Sequence, residues 1–245
     1  MRIYRDLARW YPLITPAGEY ADEADHILRL IEAVREGPCA TLLELGSGAG
    51  HMASHLKQQL RCTLTDISPQ MLDLSRALNP ECEHVPADMR SLDLPYRFDV
   101  VLAQDAIGYM TTEADLKSAI TAASRHLRSG GIAVLIPDYV KETFKETVVS
   151  DGHATGDGRA LRFLEWDFDP DPADTTITVE FALMLREPGH AVRVEHDSHL
   201  AGLFDRATWL RLMAEAGLVP LAPDVHDPYA GQHEVFVGRA RQPEA

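Results

Sequence analysis

Between Thr41 and Asp138, short apolar runs of strand length alternate with stretches of helical periodicity. TLLEL, CTLTDI, EHVPAD, FDVVLAQD and GIAVLIPD are the runs, and the helical patterns cover about 50–59, 69–78 and 113–127. Such a chain is built most economically from parallel βαβ units, with helices covering both faces of one sheet. An amphipathic helix precedes them over 20–36, with Ala24, Ile27, Leu28, Ile31 and Val34 at helical spacing and Gly37-Pro38 as a stop.

After Asp138 the spacing changes from helical to period two. Segments 159–168, 175–185 and 191–200 read as three strands, clearest in the middle one, where Ile177, Val179, Phe181, Leu183 and Leu185 share a face. Turn-rich connectors, DPDPAD and REPGH, favour antiparallel pairing. A helix over 208–216, a strand over 218–221 and a last strand, EVFVGRA, then resume the αβ order. The expected fold is α/β: a Rossmann-like doubly wound sheet, mostly parallel with its last strand antiparallel, carrying an inserted small antiparallel β-sheet. The expected division is an N-terminal lid and helix over 1–37, a ligand-binding domain over 38–138 and 203–241, and an inserted substrate cap over 139–202. DGHATGDG reads as a flexible loop and RQPEA as a frayed tail.

The formal charge of −15 opposes nucleic-acid phosphates and anionic membranes, and it mildly favours cationic ligands. Three cysteines, Cys39, Cys62 and Cys82, form no CxxC pair and read as small buried fillers in a reducing compartment. The start, MRIYRDLARWYPL, lacks the apolar core of a signal peptide, and no run approaches membrane-span length, so a cytoplasmic protein is expected.

In an open parallel sheet, ligands bind at the carboxyl ends of the strands. Past the first strand, Gly46, Gly48 and Gly50 permit close backbone approach ahead of a helix start. The second strand ends in Asp66, twenty residues after Gly46, where a carboxylate can accept both hydroxyls of a ribose. NAD enzymes share this arrangement, but their GxGxxG fingerprint would need a glycine where His51 stands.

ELGSGAG with Glu44, LTDIS with Asp66, and ADM with Asp88 and Met89 together resemble the class I S-adenosylmethionine-dependent methyltransferases. The segments FDVVLAQDAIGYM and LRSGGIAVLI extend the likeness over about 41–137. The inserted sheet, HLAGLFDRATWLRLMAEAGL and the final strand resemble, more weakly, the subgroup of sugar-amine N,N-dimethyltransferases, with glycine N-methyltransferase as a more distant relative. The resemblance implies S-adenosylmethionine as cofactor, with Glu44 and Gly46 near its methionine part, Gly48 near the nucleoside, Asp66 on the ribose, and Ser47 also among the cofactor-binding residues. Ile67 would pack on the adenine, Asp88 would accept its amino group, and Met89 would offer a backbone amide. Gln104 would face the methionine amino end, and Tyr4 and Tyr20 would belong to an N-terminal lid. Ile67 and Met89, taken alone, also read as core residues.

The subgroup tends to read SxGH after the fourth strand, whereas this chain has Ala106-Ile107-Gly108-Tyr109. Tyr109, whose phenol would project from the loop after the fourth strand, is the first catalytic candidate, although it also reads as an ordinary packing tyrosine. His196 is the next, although it shares a strand face with Val192, Val194 and Ser198 and also reads as structural. His199 falls on the opposite face, so the two imidazoles do not converge on a metal. His226, Asp227 and His233 lack a recognised ligand spacing, and no metal is expected. Trp10, Tyr11, Tyr139 and Trp166 read as pocket walls or core. The expected activity is methyl transfer to a small-molecule amine by in-line displacement. O-methylation, an NAD oxidoreductase and a non-catalytic nucleoside-binding protein are the alternatives, and a homodimer is possible.

Overall fold

The computed structural model of the chain describes residues 1–223, 225 and 233–241. His226, Asp227 and the end of the tail lie outside the described residues. The helices are α1 (Ala21–Val34), α2 (His51–Leu56), α3 (Pro69–Leu78), α4 (Glu113–Arg125) and α5 (Arg206–Glu215). Strands β1 (Thr41–Leu45), β2 (Arg61–Asp66), β3 (Glu83–Pro86), β4 (Phe98–Gln104) and β5 (Leu127–Ile136) alternate with them, as the apolar runs predict. Local chemistry sets several starts: Ser68, Thr112 and Asp205 each accept a backbone amide as N-caps, and Pro69 stands at the first turn of α3.

A seven-stranded sheet has the order β10-β11-β5-β4-β1-β2-β3, with β10 (Leu218–Leu221) and β11 (Phe236–Ala240) at one side. β11 is antiparallel to both neighbours, while the pairs among β1 to β5 are parallel. The chain runs outward from β1 to β3 and returns to β4, which makes the carboxyl ends of β1 and β4 the switch point where ligands bind. Each face is covered by an apolar cluster. One is built on Val101, Leu116, Ile120 and Trp209, the other on Ile27, Leu42, Ala53 and Val134.

The inserted sheet has four strands, not the expected three, in the order β6-β7-β8-β9: β6 (Thr147–Asp151), β7 (Ala160–Phe168), β8 (Thr176–Arg186) and β9 (Arg193–Gly202). β6 is an exposed edge strand with no buried residue, so it carries no apolar alternation to read. Along β8, Ile177, Phe181, Leu183 and Leu185 are buried on one face as expected. The N-terminal segment lies across that inner face: Ile3, Leu7, Trp10, Leu13 and Ile14 pack on Leu161, Phe163, Phe181, Leu183 and Leu185. Burial of each such large side chain contributes about 1.5–3 kcal/mol, which is what holds an otherwise short segment down. Of the cysteines only Cys62 is buried, while Cys39 and Cys82 are half-buried, and all three are free thiols. Among the described residues, no helix is long and apolar enough to cross a membrane.

Candidate active site

A cavity of about 740 Å³ opens at the switch point, between the carboxyl ends of the parallel strands, the N-terminal segment and the inner face of the inserted sheet. Gly46, Gly48 and Gly50 all have positive φ, at 72°, 52° and 74°. A Cβ on Gly46 would come within 2.3 Å of the Ala106 Cβ, so that glycine is required by space as well as by conformation. The Asp66 carboxylate closes the loop by accepting the amides of Gly48 at 2.8 Å and Ser68 at 2.7 Å. Each of its oxygens keeps a lone pair for a further donor.

Every predicted site residue but one lines this cavity: Tyr4, Tyr20, Glu44, Gly46, Ser47, Gly48, Asp66, Ile67, Asp88, Met89, Gln104 and Tyr109. The one not brought in is His196. It lies on the outer face of β9, its side chain 70% exposed, with Nε2 2.5 Å from the Glu180 carboxylate. Strand parity sends it away from the cavity and turns its neighbours Asp197 and His199 inward. Asp88 lines the cavity, but its carboxylate is held by the Arg90 guanidinium, which keeps it below the usual carboxylate range. Tyr11 and Tyr139 line the cavity, Trp10 is core, and Trp166 is exposed on the outer face beside Phe168.

The cavity also holds residues to which the sequence alone assigned no site role. His51 stacks on Tyr11 at 5.6 Å, and burial followed by the nearby His55 pushes it down to about 4. Asp105 follows Gln104 at the end of β4, with the sole positive φ of a non-glycine among the described residues, 50°. Asp138 lies just past β5, and Glu165 and Asp167 project from the inner face of β7. Asp105 and Asp138 keep accessible surface and line the open cavity, with protein packed densely around their carboxyl groups.

These acids are held away from their ordinary ionisation. Burial, then repulsion from Asp66, pushes Glu44 up to about 8; burial, then Asp167 and Asp138, does the same for Glu165, also to about 8. Burial followed by Asp138 raises Asp105, and burial followed by Asp167 raises Asp138. Asp167 is 4% exposed; its Oδ2 accepts the Tyr139 hydroxyl at 2.8 Å, and its Oδ1 has no hydrogen-bond partner among the described residues. Glu44 Oε2, Ser47 Oγ and Gln104 Oε1 are likewise buried and unpartnered there. Among the described residues no three His, Cys, Asp or Glu side chains form a metal-holding set.

A backbone loop with no room for a Cβ at Gly46 and Gly50, an acid with spare lone pairs beside it and cavity-lining carboxyl groups without an ion-pair partner among the described residues together fit a nucleoside that also carries positive charge. S-adenosylmethionine is such a molecule, and a doubly wound sheet with this site defines a class I S-adenosylmethionine-dependent methyltransferase. The comparisons agree. A methyltransferase-domain family model matches residues 42–131. The dTDP-3-amino-3,4,6-trideoxy-α-D-glucopyranose N,N-dimethyltransferase of Streptomyces venezuelae is 30% identical over 202 residues, 82% of this chain and 84% of that enzyme. A sugar N-methyltransferase from Streptoalloteichus superposes with a TM-score of 0.81 at 26% identity, covering 91% of this chain and 88% of that one. An amino pentose methyltransferase from Micromonospora echinaspora, solved with S-adenosylmethionine bound, gives 0.76 at 25% identity, covering 90% and 91%. The chain belongs to the class I S-adenosylmethionine-dependent methyltransferases, in the subgroup that contains the sugar N,N-dimethyltransferases.

Proposed function

We propose that the acceptor is the amine of an amino sugar, methylated at nitrogen by direct displacement. The observation that carries this reading is the acceptor end of the cavity. There Asp105, Asp138, Glu165 and Asp167 face one space and make no ion pair among the described residues, an arrangement that attracts an ammonium group and repels an anion. Relatives named for amino-sugar substrates support it.

When bound, S-adenosylmethionine supplies a methyl carbon activated by its sulfonium. The residues proposed to hold it are the glycine loop, Glu44, Ser47 and Gln104 for the methionine part, Asp66 for the ribose, and Ile67, Asp88 and Met89 for the adenine. The chain's own contribution is then positioning and exclusion of water. Tyr4, Tyr11, Tyr20, Tyr109, Tyr139 and Phe181 wall the cavity, and the acids hold the amine in it. Glu165 faces the same space; burial, then Asp167 and Asp138, push it up to about 8, so once ionised it is basic enough to take the proton that an ammonium must lose before it becomes a nucleophile.

The proposed division of the chain assigns 1–37 to the lid, 38–138 with 203–241 to the cofactor, and 139–202 to the acceptor cap. A homodimer through the exposed apolar outer face of the inserted sheet, at Val148, Leu164, Trp166, Met184, Val194 and Leu200, belongs to the same proposal, as does a cytoplasmic location. Sedimentation of wild type against Trp166→Glu tests the dimer. For the activity, release of S-adenosylhomocysteine is measured with dTDP-3-amino-3,4,6-trideoxy-α-D-glucopyranose and with its 3-hydroxy analogue. Turnover of the amine is expected; turnover of the alcohol alone would overturn the reading.

A further inference from the structure

An unbroken hydrogen-bonded line runs from the cavity into the inserted sheet. The Tyr4 and Tyr109 hydroxyl oxygens are 2.7 Å apart, Tyr109 Oη is 3.1 Å from His199 Nδ1, and His199 Nε2 is 3.0 Å from Asp197 Oδ2. Tyr4 and Tyr109 line the cavity, while His199 and Asp197 lie behind them, 2% and 6% exposed. Asp197 Oδ2 also accepts the Ile3 amide at 2.8 Å, and Arg2 pairs with Glu195, so the N-terminal segment is fastened to the same strand.

The direction of the line follows from its far end. Asp197 is held below the usual carboxylate range: burial alone would raise it, but the Ile3 amide and His199 outweigh that. Asp197 is therefore an acceptor, and His199 Nε2 must carry a proton toward it. Burial keeps the imidazole below its ordinary pKa despite Asp197, so His199 is neutral near pH 7 and its Nδ1 is an acceptor. Nδ1 in turn requires the Tyr109 hydroxyl to donate to it. The only proton left between the two tyrosines is that of Tyr4, which donates to Tyr109.

We propose that Asp197 and His199 act as positioning residues that fix this polarity, so that the Tyr109 and Tyr4 oxygens present lone pairs to the acceptor and receive the N–H of its amine. This rests on the amine reading above and extends it. An amine that donates to a fixed oxygen keeps its own lone pair free to point at the methyl carbon, whereas an alcohol must give its one proton to do the same. Groups facing His199 from the packed elements are Tyr4, Tyr109, Asp197 and Asp167 across β8, while Glu180 on the outer face and the chain amino terminus act on it at longer range.

Two measurements test it. First, the ¹⁵N shifts of the His199 imidazole in wild-type protein with S-adenosylhomocysteine report the tautomer without any acceptor; protonated Nε2 and bare Nδ1 are expected, and protonated Nδ1 would overturn the polarity. Second, kinetics with dTDP-3-amino-3,4,6-trideoxy-α-D-glucopyranose are compared across three variants. Tyr109→Phe and His199→Leu should each lower kcat/KM by roughly tenfold or more, with S-adenosylmethionine affinity within about twofold of wild type. His199→Asn, whose carbonyl can replace Nδ1 as acceptor, should recover most of the loss. Rates within twofold of wild type for Tyr109→Phe and His199→Leu, or no recovery in His199→Asn, would overturn the proposal. Turnover of the 3-hydroxy analogue with none of the amine would overturn the amine reading itself, while the tautomer would still report the line's direction.

Discussion

Asp66 accepts the Gly48 amide at 2.8 Å, so the acid at the end of β2 and the glycine loop after β1 are one mechanical unit. Asp66→Ala should weaken S-adenosylmethionine binding by roughly 1.5–3 kcal/mol through lost charge-assisted hydrogen bonds. Asp66→Asn keeps one acceptor oxygen where Gly48 and Ser68 need two and loses the charge, so it should recover only part of it. Isothermal titration measures both, and unchanged affinity in Asp66→Ala would remove the ribose assignment.

Gly46→Ala should damage folding and binding together. Its φ of 72° disfavours any side chain, and the new Cβ would meet the Ala106 Cβ at 2.3 Å. A stability loss on the order of 1–3 kcal/mol is expected in urea unfolding. Gly18→Ala, with nothing within 4 Å of the new Cβ, serves as the control.

Glu44 gives the ligand-free protein a pH dependence of defined sign. Its pKa is about 8 when folded, through burial and then Asp66, against an ordinary value of 4.5. Between those values the folded state holds more protons than the unfolded state, so stability falls as pH rises from about 4.5 toward 8. Glu165, also near 8, adds to the slope. His51, pushed down to about 4 from an ordinary 6.5, gives the opposite slope below pH 6.5. Thermal melts from pH 6.5 to 8 should therefore show a falling midpoint, and the slope should be flatter in Glu44→Gln; an unchanged slope in that variant would contradict the assignment.

Removing the Glu165 carboxyl group at the acceptor end should separate the two substrates. Glu165→Gln should raise KM for the amine by about tenfold while leaving S-adenosylmethionine affinity unchanged, since Glu165 stands on the inserted sheet and the glycine loop on the other. Steady-state kinetics varied in each substrate separately would reveal a common loss of both affinities, which would place Glu165 in the cofactor region instead.

Ser68 caps α3 and donates to the Tyr4 carbonyl at 2.5 Å, joining the second strand's loop to the N-terminal segment. Ser68→Ala should cost about 1 kcal/mol as a lost cap. It should also raise hydrogen exchange over residues 1–14 more than over α3; the reverse order would show that the tie to Tyr4 carries little.

The parallel core was legible because strands buried on both faces leave continuous apolar runs, and α3 could be placed from Ser68-Pro69 alone. β6 was not, since a strand exposed on both faces has no apolar period. The cofactor end of the cavity was readable because its residues follow strands β1, β2 and β4 directly. The same rule would have found Asp105 and Asp138, which stand just past β4 and β5. Glu165 and Asp167 left a fainter signal, charges in the inward register of Leu161 and Phe163. Asp197 and His199 were hidden in a polar run, HDSH, where parity separates the inward pair from His196 but does not say which face meets a cavity.

That parity makes the inserted sheet a vernier. Across its inner face Asp167 stands beside Val179 and then His199, and Glu165 beside Phe181 and then Asp197. Adding or deleting one residue in the turn between β8 and β9, at Glu187 to Val192, would shift β9 by one place and put Ser198 or Leu200 where His199 meets the tyrosines, while turning His199 outward. Divergence in acceptor choice by this route would come in steps of two residues, and single-residue indels there would be selected against more strongly than almost any substitution in the same turn.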